Sequence, residues 1–258
     1  MSQQEKEVIA RDIEARAYEK TQEYQKGYHH VWLQTNIVMS SANIKKDDIV
    51  LDAGSGTGRI TRVIAKKCKK VYAVDFSPKS VDLLRTEAED QNLNNISCMV
   101  GDITKKIQFN EKMDKAISVG VIQHIPISLE RHMAVKNIFT YLKSGGIFTM
   151  TAYNWNAKME QKGLQKEGVF GSGISYFRYT PEEIKSLLET CGFEDITVRG
   201  YNNFGCYGIF GNNKLANLIL YPVAMLDYLI SKFDFSARTG TYLVCTGVKK
   251  QPCDETAL

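Results

Sequence analysis

The segment Ile49–Arg59, IVLDAGSGTGR, constrains the fold of this chain more than any other part of the sequence. A short apolar run leads into an acidic residue and then into glycines at alternate positions, which is typical of a β-strand that turns tightly into a helix. Glycine permits backbone angles that other residues avoid, and it leaves room for a ligand where a side chain would collide. The segment therefore predicts a strand, a turn and a helix, with a ligand above the turn.

Short β-rich runs alternate with helical patterns after this point, as is typical of a parallel sheet with helices on both faces. The predicted strands are Ile49–Leu51, Val71–Val74, Ile96–Val100, Ala116–Val119, Ile147–Thr151, Ile196–Val198 and Tyr242–Val248. Ser77 with Pro78 predicts one helix start, and a capping box from Thr180 to Glu183 predicts another, which ends near Gly192. We expect a Rossmann-like α/β fold whose ligand lies at the carboxyl edge of the sheet.

Length and composition fit a single globular domain with additions. The chain has 258 residues, of which 43% are hydrophobic and 24% charged, close to the average of globular proteins. The formal net charge of +4 is modest, and its short lysine clusters are typical of a solvated face and not of a nucleic-acid footprint. Nucleic acid is therefore not the expected partner.

Neither the cysteines nor the apolar segments indicate export or a membrane. The six cysteines are scattered, without the spacing of a zinc site or a disulfide framework. The polar N-terminus lacks a secretory pattern, and the apolar run 215–230 is interrupted by Asn217, Pro222 and Asp227. We predict a cytoplasmic protein without a membrane span, in which this run packs in the core or against a second copy in a homodimer.

Two further acidic residues follow predicted strands. Asp75 ends the strand VYAVD about 20 residues after the glycine turn, where a carboxylate can accept hydrogen bonds from ribose hydroxyls. Asp102 follows the next strand at the same edge, where it could hold an adenine amino group. A dinucleotide fingerprint would need glycine at the position of Arg59, so a nucleoside ligand fits better than a dinucleotide. Taken singly, each carboxylate could also be a solvated strand end.

Together these segments resemble the class I S-adenosylmethionine-dependent methyltransferases, through LDAGSGTG, VYAVDFS, VGDI, SVGVIQHI and YFRYTPEEIKSLLETCGF. The resemblance covers about residues 47–193. It implies a seven-stranded, mostly parallel sheet whose last strand, Tyr242–Val248, is antiparallel. It also implies S-adenosylmethionine as the cofactor and transfer of its methyl group as the activity.

The resemblance further implies which residues contact this cofactor. The glycine turn would face the methionine part, Asp75 the ribose, and Asp102 with Ile103 the adenine, on whose face Phe76 would pack. The predicted cofactor-binding residues are Asp52, Gly54, Ser55, Gly56, Gly58, Asp75, Phe76, Asp102, Ile103 and Val119.

Methyl transfer from a sulfonium is an in-line displacement, so alignment of the acceptor matters most and a base is optional. His124 follows the fourth predicted strand and is the candidate catalytic base, although it could equally hydrogen-bond a loop carbonyl. The predicted substrate-binding residues are Tyr28, His29, Tyr153 and Tyr176. No metal site is predicted.

We expect residues 1–45 to form an N-terminal helical cap and residues 46–258 the methyltransferase domain, in which 154–179 and 201–235 form an acceptor pocket and lid. The absence of an NPPY-like or DPPY-like motif after the fourth strand argues against methylation of nucleic-acid amino groups. The hypothesis is methyl transfer to a nitrogen or oxygen of a small, apolar or aromatic molecule. An RNA methyltransferase and a cofactor-binding regulator without turnover remain alternatives.

Overall fold

A computed structural model describes residues 6–13, 15, 28–204 and 214–250. Its main feature is a seven-stranded sheet in the order β3-β2-β1-β4-β5-β9-β8. The strands are β1 (Ile49–Ala53), β2 (Lys70–Asp75), β3 (Ile96–Val100), β4 (Met113–Val119), β5 (Leu142–Tyr153), β8 (Glu194–Tyr201) and β9 (Tyr242–Val248). Strands β6 (Glu167–Val169) and β7 (Ser175–Phe177) form a separate hairpin.

Strands β1 to β5 are parallel to one another, whereas β9 runs antiparallel to both β5 and β8. The interior strand β1, between β2 and β4, is buried at all five positions, which explains its nearly continuous apolar sequence. The predicted seven-stranded, mostly parallel fold with an antiparallel last strand is confirmed. Because β1, β2 and β4 are parallel, the loops after them meet at one edge of the sheet.

Helices connect and cover these strands. They are α1 (residues 6–13), α2 (Tyr28–Ala42), α3 (Thr61–Ala65), α4 (Pro78–Asp90), α5 (Ser128–Tyr141), α6 (Ala157–Gln161), α7 (Pro181–Thr190) and α8 (Lys214–Ile230), with 3-10 turns at Ile122–His124 and Asp234–Arg238. Ser77 caps α4 by accepting a hydrogen bond from the Ser80 amide at 3.1 Å. A capping box between Thr180 and Glu183 starts α7. Both predicted helix starts are confirmed.

Apolar side chains fill both faces of the sheet. On one face, Leu51, Phe148 and Phe193 pack with residues of α5 and α7. On the other face, Val50 and Ile117 pack against α2 and α3. The buried sheet therefore acts as a rigid support for the loops at its carboxyl edge.

The two segments predicted to lie outside the strand and helix alternation contain regular structure. Residues 154–179 form α6 and the β6–β7 hairpin, which the sequence pattern did not predict. In the second segment, residues 205–213 lie outside the described part of the chain, and α8 packs on α2, where the Trp32 and Tyr228 rings are 6.1 Å apart. No helix among the described residues is long and apolar enough to cross a membrane.

Candidate active site

A cavity of about 570 Å³ opens at the carboxyl edge of the sheet. It lies within the range of roughly 300 to 1,000 Å³ that is common for small-molecule sites. Its walls come from the loops after β1, β2, β3 and β4, from the end of β5 and the start of β9, and from helices α1 and α2. Eleven of the residues predicted for the site line it together: Asp52, Gly54, Ser55, Gly56, Asp75, Phe76, Asp102, Ile103, Val119, His124 and Tyr153.

The glycine turn forms the floor of this cavity. Gly54 and Gly56 have φ angles of +85° and +52°, in the left-handed region that favours glycine. A Cβ atom on Gly54 would lie 2.3 Å from Val121 Cγ2, whereas one on Gly56 would meet no described atom within 4 Å. The buried Ser55 hydroxyl has no hydrogen-bond partner among the described residues. An open space above Gly56 and an unsatisfied hydroxyl beside it fit a polar ligand at this turn.

Asp75 connects the glycine turn to helix α4. One carboxylate oxygen accepts a hydrogen bond from the Gly56 amide at 2.8 Å, and the other accepts one from the Ser77 amide at 2.9 Å. Burial raises the pKa of this carboxyl, while the two amides oppose that shift. Each carboxylate oxygen has a second lone pair, so the group can still accept hydrogen bonds from the hydroxyls of a ribose.

Asp52 lies deeper, at the end of β1, with 2% of its surface exposed. Its carboxylate accepts a hydrogen bond from Thr61 Oγ at 2.6 Å, and burial raises the pKa of the group to about 7. Arg59, at the position where a dinucleotide fingerprint would need glycine, also lines the cavity and donates a hydrogen bond to Gln34 of α2. Asp52 and Arg59 thus bring a titratable carboxyl and a cation to one end of the cavity.

The opposite end is built after β3. Asp102 accepts hydrogen bonds from the Thr104 amide at 2.9 Å and from the Thr104 hydroxyl at 2.7 Å, which hold its side chain at the cavity wall. Ile103 and Phe76 line the same end with apolar surface. A carboxylate beside apolar walls is a suitable environment for the amino group and the flat faces of an adenine.

Gly58, the third glycine of the turn, is not among the residues that line the cavity. A Cβ atom at this position would lie 2.0 Å from Leu84 Cδ1. Glycine is therefore needed here because the turn packs closely on helix α4.

His124 lies in the 3-10 turn after β4, and its hydrogen bonds fix its protonation state. Nδ1 lies 2.7 Å from the carbonyl oxygen of Ser175, so Nδ1 must carry the proton. Gln123 Oε1 accepts a hydrogen bond from the Tyr153 amide at 2.7 Å, so the Gln123 Nε2 group faces His124 Nε2 at 3.3 Å. The imidazole is consequently neutral, with its free lone pair directed at the amide of Gln123.

This arrangement does not favour the predicted role of His124 as a general base. Burial lowers the pKa of His124 to about 4, and the nearby charge of Arg11 lowers it too. A base with so low a pKa removes protons weakly at neutral pH, and its Nε2 atom already accepts a hydrogen bond. His124 Nδ1 instead donates to a carbonyl of strand β7, and a catalytic role of His124 stays a prediction.

Four aromatic rings form a continuous surface, which we call the aromatic wall: His30, Tyr242, Tyr153 and His124. Neighbouring ring centroids in this order lie 5.3 Å, 5.7 Å and 5.5 Å apart. All four residues line the cavity, and they come from α2, β9, β5 and the 3-10 turn after β4. Burial lowers the pKa of His30 to about 4, so the wall carries two neutral imidazoles at pH 7.

The other predicted substrate residues are placed differently from Tyr153. Tyr176 stacks on Phe170 in the β6–β7 hairpin, with ring centroids 4.4 Å apart, and is not among the residues that line the cavity. Tyr28 and His29 begin helix α2, but their side chains lie outside the described part of the structure. The roles of these residues stay predictions.

Sequence reasoning missed several residues of the cavity. Helix α1 contributes Glu7 and Arg11, and helix α2 contributes His30 and Gln34. Glu7 accepts a hydrogen bond from the amide of Ser175 at 3.1 Å, which joins α1 to the hairpin. The expected N-terminal cap placed helical residues, with His30 beside Tyr28 and His29, in this part of the chain, and Tyr242 starts a predicted strand. The helical residues belong to segments with no motif of their own.

Comparisons with known proteins agree with this geometry. Residues 44–192 match the family model described as a methyltransferase domain. The matched range contains the glycine turn, Asp75, Asp102 and His124, and it ends just after α7. It covers more than half of the chain.

Curated relatives match shorter parts of the chain. The probable cobalt-precorrin-6B C(15)-methyltransferase (decarboxylating) of Methanocaldococcus jannaschii is 33% identical over 78 residues, which cover 29% of this chain and 43% of that protein. The probable ribosomal RNA small subunit methyltransferase A of Methanosphaera stadtmanae is 36% identical over 83 residues, which cover 32% of this chain and 30% of that protein. The chain thus spans less than half the length of these two relatives.

Solved structures share the fold over most of the chain. The structure of DhpI in the DhpI-SAM-HEP complex has a TM-score of 0.62 at 15% identity and covers 96% of this chain and 97% of that one. Phosphoethanolamine N-methyltransferase 2 of Haemonchus contortus, in complex with S-adenosyl-L-methionine, has a TM-score of 0.58 at 18% identity, over 92% of this chain and 60% of that one. At such identities the likeness shows a common fold.

Proposed function

The chain belongs to the methyltransferase domain family, whose cofactor is S-adenosylmethionine, and from this premise we propose that it methylates a nitrogen or oxygen of a small, apolar or aromatic molecule. When bound, the cofactor supplies a methyl group on a positively charged sulfur. The chain itself has to bind both molecules, align them for an in-line displacement and exclude water.

The loops after β1, β2 and β3 are proposed to hold the cofactor, and we call them the cofactor half of the cavity. The open space above Gly56 and the unsatisfied Ser55 hydroxyl suit the methionine part. Asp75 has spare lone pairs for the ribose hydroxyls, and Asp102 lies beside apolar surface that suits the adenine. Asp52 and Val119 also line the cavity, while Gly58 lies outside its lining and packs against Leu84 of α4.

The aromatic wall is the observation that carries the acceptor proposal, and with α1 and α2 it forms the acceptor half of the cavity. Four rings from distant parts of the chain line the cavity, and the centroids of neighbouring rings are at most 5.7 Å apart. Aromatic surfaces bind flat apolar molecules through stacking and edge contacts. Both imidazoles in the wall are neutral at pH 7, which suits an uncharged acceptor.

The segments proposed to cover the cavity support a small acceptor. Helix α1 crosses the cavity, with Glu7 bonded to Ser175 of the hairpin and Asp12 bonded to Ser77 at 2.5 Å. We propose that residues 1–45 act as the N-terminal cap and that 154–179 and 201–235 act as a lid. None of the described residues of the last two segments lines the cavity, so their part in an acceptor pocket stays a prediction. A cover of this kind excludes water from the reaction and limits the size of the acceptor.

The weak basicity of His124 favours acceptors that do not need a base to remove a proton. A nitrogen that carries a free lone pair at neutral pH needs alignment more than proton removal, whereas a hydroxyl benefits from a base. Asp52, whose pKa burial raises to about 7, lies at the floor of the cavity behind the glycine turn. We therefore rank neutral nitrogen acceptors ahead of hydroxyl acceptors.

A transfer assay with methyl-labelled cofactor tests the proposal directly. The panel contains small aromatic amines, N-heterocycles, phenols, small charged amines and RNA. We expect turnover on uncharged aromatic acceptors, and Tyr153→Ala should raise the acceptor KM while leaving the affinity for the cofactor within about twofold. Turnover restricted to small charged amines would contradict the apolar acceptor.

RNA is the second candidate, because one of the relatives above is named as a ribosomal RNA methyltransferase. A base in RNA would have to be unstacked and inserted beneath α1 to reach the cavity. Methylation of RNA, together with binding that weakens steeply as salt is raised, would favour this candidate. Tight cofactor binding without turnover on any class of acceptor would instead favour a regulatory protein.

A further inference from the structure

We propose that Gln123 is a positioning residue for methyl transfer, which holds the His124 imidazole in its neutral Nδ1–H form and fixes the end of β5 beneath the aromatic wall. This inference rests on the proposed function, since it concerns the acceptor half of the cavity. Gln123 lies within the motif SVGVIQHI and within the matched range 44–192, but neither assigned it a role.

Gln123 is almost fully buried, with 3% of its surface exposed, and it lines the cavity. Its side chain makes two contacts of opposite polarity. The oxygen accepts a hydrogen bond from the Tyr153 amide at 2.7 Å, and the nitrogen faces His124 Nε2 at 3.3 Å. One amide thus connects two members of the aromatic wall, one through its backbone and the other through its ring.

The contacts of His124 extend this connection to the cover of the cavity. Its Nδ1 donates to the carbonyl oxygen of Ser175, whose own amide donates to Glu7 of α1. Phe170 of the same hairpin lies 6.3 Å from the Tyr153 ring and 6.5 Å from the His124 ring. The side chain of Gln123 therefore supports the wall, the hairpin and, through Ser175, helix α1.

The polarity of the amide decides which form of His124 is stable. With its oxygen held by the Tyr153 amide, Gln123 presents N–H groups to His124. A protonated Nε2 would also present an N–H, so two donors would face each other in a buried space. Gln123 consequently disfavours the imidazolium and keeps a cation away from the acceptor.

Charged and titratable groups surround His124 on several elements. Glu7 and Arg11 of α1, Glu130 of α5 and Tyr153 of β5 line the same cavity, and the Arg178 guanidinium lies 6.0 Å from the centre of the Tyr153 ring. Arg11 opposes protonation of His124, as burial does. A carboxylate at position 123 would contact Nε2 directly and would outweigh a charge farther away.

The decisive variant is Gln123→Glu, which keeps an acceptor for the Tyr153 amide but replaces the N–H groups that face His124 with a carboxylate. An NMR titration of the His124 ring in the cofactor-free protein should show its pKa rising by at least about 1 unit. The transfer assay with methyl-labelled cofactor should show a lower kcat. Its pH profile should show an additional ionisation near the raised pKa of His124. We expect the cofactor Kd to stay within about twofold.

Gln123→Met, of similar size, removes both contacts and serves as the second variant. Here the pKa of His124 should remain low, while the acceptor KM rises severalfold because the Tyr153 amide loses its partner. Gln108→Glu makes the same change of charge at an exposed position outside the cavity and should alter neither readout.

The two readouts separate this proposal from the proposed function. If no acceptor is turned over by any variant, the titration still decides whether Gln123 controls the protonation of His124. An unchanged titration of His124 in a folded Gln123→Glu protein would overturn the proposal. So would an unchanged pH profile, kcat and acceptor KM in both Gln123 variants.

Discussion

The two halves of the cavity are built in different ways. In the cofactor half, the lining groups belong to short stretches that follow consecutive parallel strands, and backbone amides of those stretches, at Gly56 and Ser77, hold the Asp75 carboxylate in place. In the acceptor half, the groups are side chains from α1, α2, the 3-10 turn, β5 and β9, and the hairpin contacts two of them from outside the cavity. Glu7 and Ser175, which meet there, are 168 residues apart in sequence.

This difference has a physical consequence for specificity. A site whose side chains are held by backbone groups at strand ends depends on the sheet, which keeps its shape when residues elsewhere change. A site made of side chains from distant elements changes shape whenever the packing of those elements changes. We therefore expect substitutions in the cofactor half to change mainly the affinity for the cofactor. Substitutions in the acceptor half should change the acceptor KM, the pH dependence and the stability of the protein.

The largest expected effect is on the pH dependence of the free energy of unfolding, and it comes from His124, which is neutral in the acceptor half. Since the pKa is about 6.5 in the unfolded chain and about 4 in the native state, the unfolded chain binds more protons between these values. The free energy of unfolding gained from a neutral His124 is therefore fully present above pH 6.5 and is lost as the pH falls towards 4. The change amounts to about 3 kcal/mol over this window.

His124→Asn should remove this contribution, and urea unfolding between pH 4 and 8 measures it. The difference in stability between the parent protein and the variant should be largest at pH 7 to 8 and should shrink below pH 6.5. A difference that stays constant across this range would show that His124 is not held in its neutral form.

In the cofactor half, Asp75→Ala should weaken cofactor binding by about tenfold or more, because hydrogen bonds to a charged group are worth about 1.5 to 3 kcal/mol. Calorimetry with S-adenosylmethionine measures the change. Asp90→Ala, at the exposed end of α4, is the matched control and should leave the Kd unchanged. An unchanged Kd in a folded Asp75→Ala protein would remove this carboxylate from the site.

Tyr153→Ala should raise the acceptor KM by roughly tenfold, since an aromatic contact contributes about 0.5 to 1.5 kcal/mol beyond the area it buries. Tyr153→Phe keeps the ring and should stay close to the parent protein. If Tyr153→Ala weakens cofactor binding as much as it raises the acceptor KM, the division of the cavity into two halves is wrong.

The smallest expected effect concerns the proposed lid. Limited trypsin digestion should cleave the exposed stretch around Lys162, and cofactor together with a turned-over acceptor should slow this cleavage by roughly threefold or more. Cofactor alone should protect less, because it occupies the other half of the cavity. Equal cleavage rates with and without the acceptor would count against a lid at 154–179.

The sequence predicted the fold and the strand-end residues that line the cavity better than the residues of its other walls, and particular contacts show why. Gly56 and Asp75 meet because two neighbouring parallel strands end at the same edge, which the order of strands already implies. Gln34 and Tyr201 meet across 167 residues, and no pattern in either segment indicates the partner. His124 was found as a candidate, but its protonation state depends on the orientation of a neighbouring amide and on a carbonyl in the hairpin.

The sequence by itself determined the parallel sheet, the glycine turn, the helix caps and the acidic residues at the strand ends, because short-range spacing and backbone preferences specify these features. Only the tertiary structure decided that α1, α2 and β9 converge on the cavity, that Gly58 packs against Leu84, and that His124 is neutral. These features follow from contacts between segments far apart in the chain, and burial in a shared interior sets their geometry and their charge.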